Sequence, residues 1–161
     1  AQTGHLVLST LHTNDAPATL VRLRNMGTAT YNIAASVTLI TAQRLVRCLC
    51  PHCKQAITLP SEVLLQAGLP PASITGESMN VYAPTGCERC HKGFSGRTGI
   101  FQVMPVSPAM QNLVLSEAGT QEMALQAQRE GVDSLRVAGL RKVLQGVTSL
   151  DEVLAATRDG S

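Results

Sequence analysis

Residues 3–15 read TGHLVLSTLHTND. Leu6 to Ser9 is a short apolar run, β-branched at Val7, and predicts a buried strand. Thr10, His12, Thr13, Asn14 and Asp15 follow it. Hydroxyls, an imidazole, an amide and a carboxylate thus gather just past a strand end, where open α/β sheets carry their chemistry. The expected class is therefore α/β, with the histidine stretch as a candidate site.

Working outward, Asp15 is a natural N-cap. Pro17 falls in the first helical turn, where its missing N–H costs little. Leu20, Val21, Leu23 and Met26 give an apolar face, with Arg22 and Arg24 pointing outward. Gly27 should end that helix. Residues 30–46, TYNIAASVTLITAQRLV, are small and apolar nearly all round, which predicts a second helix buried on more than one side. Gln43, Arg44 and Arg47 would mark its polar end.

The 161 residues allow one domain with a subdomain. The core must come from Leu, Val and Ala, because the chain has two Phe, two Tyr and no Trp. So few aromatics offer no stacking platform for bases, and a net charge of +2 is too small to argue for nucleic acid. No apolar run is long enough to predict a membrane-spanning helix. The first residues show neither a charged stretch nor an apolar one of the secretory type, so no leader is expected.

Five cysteines, an odd number, two of them in CPHC and two in CERC, point to a reducing compartment rather than a disulfide framework. Cys50, Cys53, Cys87 and Cys90 form two C-x-x-C pairs. Each pair can aim both sulfurs at one point, and together they suit a tetrahedral, closed, structural Zn²⁺ site. A redox dithiol would need only one pair; an iron–sulfur centre could use the same four sulfurs. His52 and His91 are alternative ligands, and Cys48 lies outside the spacing. Lys54, Arg89 and Lys92 are placed to offset the thiolate charge. Residues 48–96 also carry Pro51, Pro60, Pro70 and Pro71. They read as an irregular subdomain held by its metal, with a short helix near 61–67 and a short strand at Val81-Tyr82.

Beyond it, RTGIFQVMPV predicts a strand from Arg97, alternating at Ile100, Gln102 and Met104. Ser107-Pro108 starts a helix running to about Ser116. Thr120 caps another to about Glu130, and a third runs from Ser134 to about Gln145. Ser149 and Glu152 form a capping box for a short last helix. The C-terminal third is expected to be a helical bundle.

TGHLVLSTLHTNDAPATLVRL resembles the histidine box and following helix of the secretion ATPases, the assembly motors of type II secretion and type IV pili (the GspE/PilB-like family). AQRLVRCLCPHCK, CERCHKGFSGRTGIFQVMPVS and GVDSLRVAGLRKVLQGVTSLDEV continue the resemblance in order. The tetracysteine insert favours the assembly branch over the retraction motors. The resemblance implies the C-terminal part of a RecA-like ATPase domain at 1–47, a zinc subdomain at 48–96, and a strand with a helical region at 97–161. It implies a homo-hexamer at the cytoplasmic face of the inner membrane that uses ATP and Mg²⁺ and acts on an inner-membrane platform protein. His12, preceded by Thr10, matches the histidine near the γ-phosphate; His5 matches the box's more structural histidine. Arg44, Arg47 and Arg97 match basic positions near nucleotide or subunit contacts.

The chain departs from the family at one decisive place. No G-x-x-x-x-G-K-[ST] occurs in it, so it lacks the loop that cradles nucleotide phosphates. The acidic Mg²⁺ and water-activating motifs, upstream of the box in this family, are missing too. These residues alone are therefore not expected to hydrolyse ATP. The competing expectations are a zinc-stabilised module that recruits a protein partner and, third, a zinc-ribbon nucleic-acid binder.

Overall fold

In the computed structural model, residues 1–158 are described. The expected strand at Leu6–Ser9 does not form. The segment has no regular structure, and Leu6 and Leu8 are each 88% exposed. A strand exists only if its N–H and C=O groups find a neighbour; among the described residues no strand pairs with this one. Helix α1 (Ala16–Asn25) begins as expected: the Asp15 carboxylate accepts from the Ala18 N–H at 2.8 Å, and Pro17 sits in the first turn. Gly27, at φ +89°, turns the chain away, its N–H donating to Arg24 O at 2.9 Å. Met26 falls past the last turn and is 64% exposed, so it is not part of the apolar face.

The expected helix over 30–46 is a short helix and then a strand. Helix α2 covers Thr30–Ser36, Val37 is extended, and β1 runs over Leu39–Leu49. Val37, Thr38, Ile40 and Thr41 explain the switch, because β-branched side chains favour the pleated backbone. Ile40, Ala42 and Val46 are buried while Leu39, Thr41, Gln43 and Leu45 are exposed, a period of two. Arg44 and Arg47 are consequently strand residues, not the end of a helix.

β2 (Gln55–Pro60) and β3 (Ser78–Ala83) form an antiparallel pair with Ile57 opposite Val81. Between them lie α3 (Ser61–Gln66) and a 3₁₀ turn at Pro71–Ser73. β4 (Phe94–Pro105) pairs with β1. Helices α4 (Pro108–Leu115), α5 (Thr120–Arg129), α6 (Leu135–Leu144) and α7 (Leu150–Ala156) follow. Ser107 caps α4, as expected; the cap of α5 is Gly119, with Thr120 already inside the helix.

The chain divides into two units, each made of two stretches. The first comprises Ala1–Ala42 and Gln102–Ser134. There α1 packs on α5, and α2 and α5 pack on α4, around buried Leu20, Ile33, Met104, Met110 and Met123. The second comprises Gln43–Phe101 and the described residues from Leu135 to 158. Its core joins Leu64, Leu69 and Val81 to Leu140, Val143 and Val153. The C-terminal helices are thus two pairs in different units, not one bundle. The middle segment thus has an aliphatic core, half of which α6 and α7 supply.

In that core α6 crosses α7 closely at Gly139. A Cβ there would lie 2.5 Å from Val153 Cγ1, and Val153 is fully buried. Overpacking costs roughly 1–3 kcal/mol, against at most ~1 kcal/mol of helix propensity gained. Gly139→Ala should therefore lower stability in denaturant melts. Combining it with Val153→Ala should cost less than the two single changes added together.

Candidate metal centre and histidine segment

The four expected cysteines meet. Their Sγ atoms all lie within 4.8 Å of one another, with Cys50–Cys87 at 4.0 Å and both Cys53–Cys90 and Cys87–Cys90 at 3.7 Å. A tetrahedron of sulfurs about 2.3 Å from a central ion has edges of about 3.8 Å. The set therefore could hold one metal ion with no position left open. The cluster includes neither His52 nor His91, both exposed, nor the half-buried Cys48.

Local backbone builds the two turns. Cys50 O accepts from the N–H of Lys54 at 3.0 Å, and Cys87 O from that of Cys90 at 3.2 Å. The turns are joined by Cys50 N–H to Gly93 O (2.8 Å) and by the Thr85 hydroxyl to Cys53 O (2.6 Å). Gly93 is obligatory: it lies at φ +87°, and a Cβ would stand 2.9 Å from the Pro84 Cα. Backbone N–H groups also reach the sulfurs, Gly86 to Cys53 at 3.3 Å and Cys87 to Cys90 at 3.2 Å. At Cys90, desolvation raises the pKa, but the N–H groups of Cys87 and Gly93 and two neighbouring thiols outweigh it and bring it to about 7. At Cys87 the Arg89 N–H pulls the pKa down; desolvation and three thiols prevail and lift it to about 11. Burial leads in raising Cys53.

Lys54 does more than offset charge. Its ammonium donates to Gly146 O at 2.7 Å and sits 4.5 Å from the centroid of the Tyr82 ring. Leu49 N–H donates to Val147 O at 2.9 Å, and the buried Thr148 hydroxyl to Arg47 O at 2.7 Å. The first cysteine turn is thereby tied to the connection between α6 and α7. Sequence reading missed this, since only the fold puts position 146 beside position 54.

In the first unit, His5, Thr10 and His12 are all exposed on the irregular N-terminal segment. His5 Nδ1 is 3.2 Å from the Thr3 hydroxyl. Nearer α1, the Thr13 hydroxyl meets that of Thr19 at 2.7 Å. The three arginines are in the second unit. Arg44 is half-buried on β1, and Arg97 is exposed on β4. Arg47 forms an ion pair with Glu152 and lies 4.1 Å from the centroid of the Phe94 ring.

Glu152 therefore does only half of what a capping box requires. Its N–H donates to Ser149 Oγ at 3.4 Å, while its carboxylate accepts from the Arg47 guanidinium and, at 3.1 Å, from the Arg47 N–H. The side-chain bond from Arg47, opposed by desolvation, holds the Glu152 carboxyl below its ordinary 4.5. A depressed carboxyl stabilises the fold above its unfolded value and loses that contribution as pH falls through the folded value. Glu152→Gln should thus lower the melting temperature at neutral pH, and the difference should shrink as pH falls below 4.5.

Over residues 1–155 the chain matches the family described as Type II/IV secretion system protein. It is 49% identical over 159 residues to the type IV pilus assembly ATPase PilB of Pseudomonas aeruginosa, a match covering 99% of this chain and 28% of that protein. Against the type II secretion system ATPase E of Vibrio cholerae it is 46% identical over 158 residues, 98% of this chain and 30% of the relative. Against PilB of Thermus thermophilus it is 42% identical over 158 residues, 98% and 18% respectively. The chain spans less than a third of the length of each of these relatives. With a match that runs through the histidine segment, both cysteine pairs and α7, the chain belongs to the type II/IV secretion system protein family.

Proposed function

We propose that these residues are the C-terminal part of an assembly motor ATPase of type II secretion or type IV pili. The observation that carries the reading is the near-complete match to relatives named as such ATPases. The N-terminal segment supports it physically. Leu6, Val7 and Leu8 are 88%, 59% and 88% exposed, although their apolar run is that of a buried strand. In the whole protein this run completes a RecA-like sheet together with residues supplied from upstream, where the phosphate loop and the acidic Mg²⁺ motifs belong. Thr10 and His12 then stand at that strand's end, facing the nucleotide.

An imidazole suits a γ-phosphate sensor because it can donate to phosphate and changes charge near neutral pH. ATP with Mg²⁺ is the substrate of the whole motor, a homo-hexamer at the cytoplasmic face of the inner membrane acting on a platform protein there. Arg44, Arg47 and Arg97 are assigned to nucleotide or subunit contacts; Arg47 in addition pairs with Glu152 on α7. In the whole protein, His12→Ala should cut turnover at least tenfold, ~1.4 kcal/mol in the barrier, with nucleotide affinity nearly unchanged. Equal losses in both would assign His12 a structural part.

The metal is Zn²⁺, held by Cys50, Cys53, Cys87 and Cys90; four thiolates with no open position make it structural. Its folding contribution is local, because the aliphatic cluster that joins Leu64 to Val153 includes none of the four cysteines. Strong chelation with thiol blocking should therefore expose residues 50–54 and 84–93 to amide exchange and leave β2, β3 and α3 protected. Uniform loosening of 48–96 would show that the metal, not the cluster, holds the whole segment.

A further inference from the structure

Gln102 is the anomaly of β4. Its neighbours on the same strand face, Ile100 and Met104, are fully buried, and Gln102 itself is only 5% exposed. An amide in that row is costly unless it is bonded. Its Oε1 accepts from the Ala16 N–H at 2.9 Å, a bond closed across 86 residues of sequence.

That bond completes the start of α1. A helix leaves its first N–H groups without internal partners. Here Ala16 donates to Gln102, Pro17 has no N–H, and Ala18 donates to the Asp15 carboxylate. The Thr19 hydroxyl donates to Asp15 O at 3.1 Å, so Thr13 donates to Thr19. The Ala16 and Ala18 N–H groups of the first turn are therefore already bonded within the chain. A phosphate approaching this end meets the side chains just before the helix. Among them Thr10 and His12 are exposed, and the bonded network of the helix start reaches back to Thr13, next to His12.

We propose that Gln102 is a positioning residue for the histidine segment: its buried carboxamide holds the Ala16 N–H and so fixes the direction in which the chain leaves His12. The proposal rests on His12 facing the nucleotide. A rigid strand residue then sets the imidazole's location through the backbone, without touching nucleotide itself. Pre-organisation of this kind lowers the barrier more than it tightens ground-state binding.

The test compares Gln102→Met, which keeps length and loses the acceptor, with Gln102→Glu, which keeps an acceptor that the helix N-terminus favours. In the whole protein, Gln102→Met should speed amide exchange at Ala16 by about tenfold and lower kcat by a similar factor, with nucleotide KM within about twofold. Gln102→Glu should restore both. A merely structural role would instead lower the melting temperature without separating kcat from KM. Unchanged exchange at Ala16 in Gln102→Met overturns the proposal. So does exchange that responds while turnover does not, provided His12→Ala does lower turnover. If His12→Ala leaves turnover unchanged, it is the nucleotide-facing reading that has failed. Should Gln102→Met not fold, Thr19→Val, which removes the link between Thr13 and Asp15, must reproduce the kcat loss; unaltered turnover there also overturns it.

Discussion

Antiparallel pairing of β1 with β4 is the constraint from which the rest follows. The bond from Cys50 N–H to Gly93 O closes one end of the pair, and that from Val106 N–H to Thr38 O closes the other. Cys50 and Cys53 come directly after β1, and Cys87 and Cys90 directly before β4. Once the strands pair in opposite directions, the two cysteine turns must meet. The cysteine cluster is therefore a consequence of strand register, and a metal ion bound there would lock a geometry that the backbone has already chosen. At the far end, the same register puts Gln102 on the buried row of β4.

The second unit shows how ionic and apolar contacts divide the labour. Its interior is aliphatic and joins segments distant in sequence. Around that interior, cations brace the connections: Lys54 to Gly146 and Tyr82, Arg47 to Glu152 and Phe94, Arg136 to Thr157 O at 2.7 Å. Each ties a loop or strand to α6, to α7 or to the connection between them. Such partly exposed pairs contribute little individually to stability, but they fix which turn faces which helix.

What the sequence discloses here is what depends on near neighbours. Asp15, Ser107 and Ser149 announced their helices because a cap is a bond across three residues. The cysteine pairs announced a cluster because C-x-x-C spacing is itself a turn. The run from Thr30 to Val46 misled, since small apolar residues satisfy a helical and a strand period alike, and only β-branching at Val37–Thr41 tips the balance. Leu6–Ser9 has strand chemistry and yet is no strand among the described residues, because pairing is supplied by another segment or not at all. The core shared by Leu64, Val81 and Leu140, the Arg47–Glu152 tie and the partner of Gln102 are contacts across many tens of residues, which no local pattern encodes. The family resemblance, by contrast, was legible from the histidine segment and cysteine pairs directly.

The scarcity of aromatic residues has an optical consequence. With no tryptophan to mask them, the two tyrosines dominate the intrinsic emission of these residues. Tyr31 is 65% exposed and sits in solvent on α2, whereas Tyr82 lies beneath the Lys54 ammonium and against Gly146. The second ring stands where the first cysteine turn joins α6. Its fluorescence is a built-in reporter of that joint, readable without a label and separable from Tyr31 by quenching from the solvent.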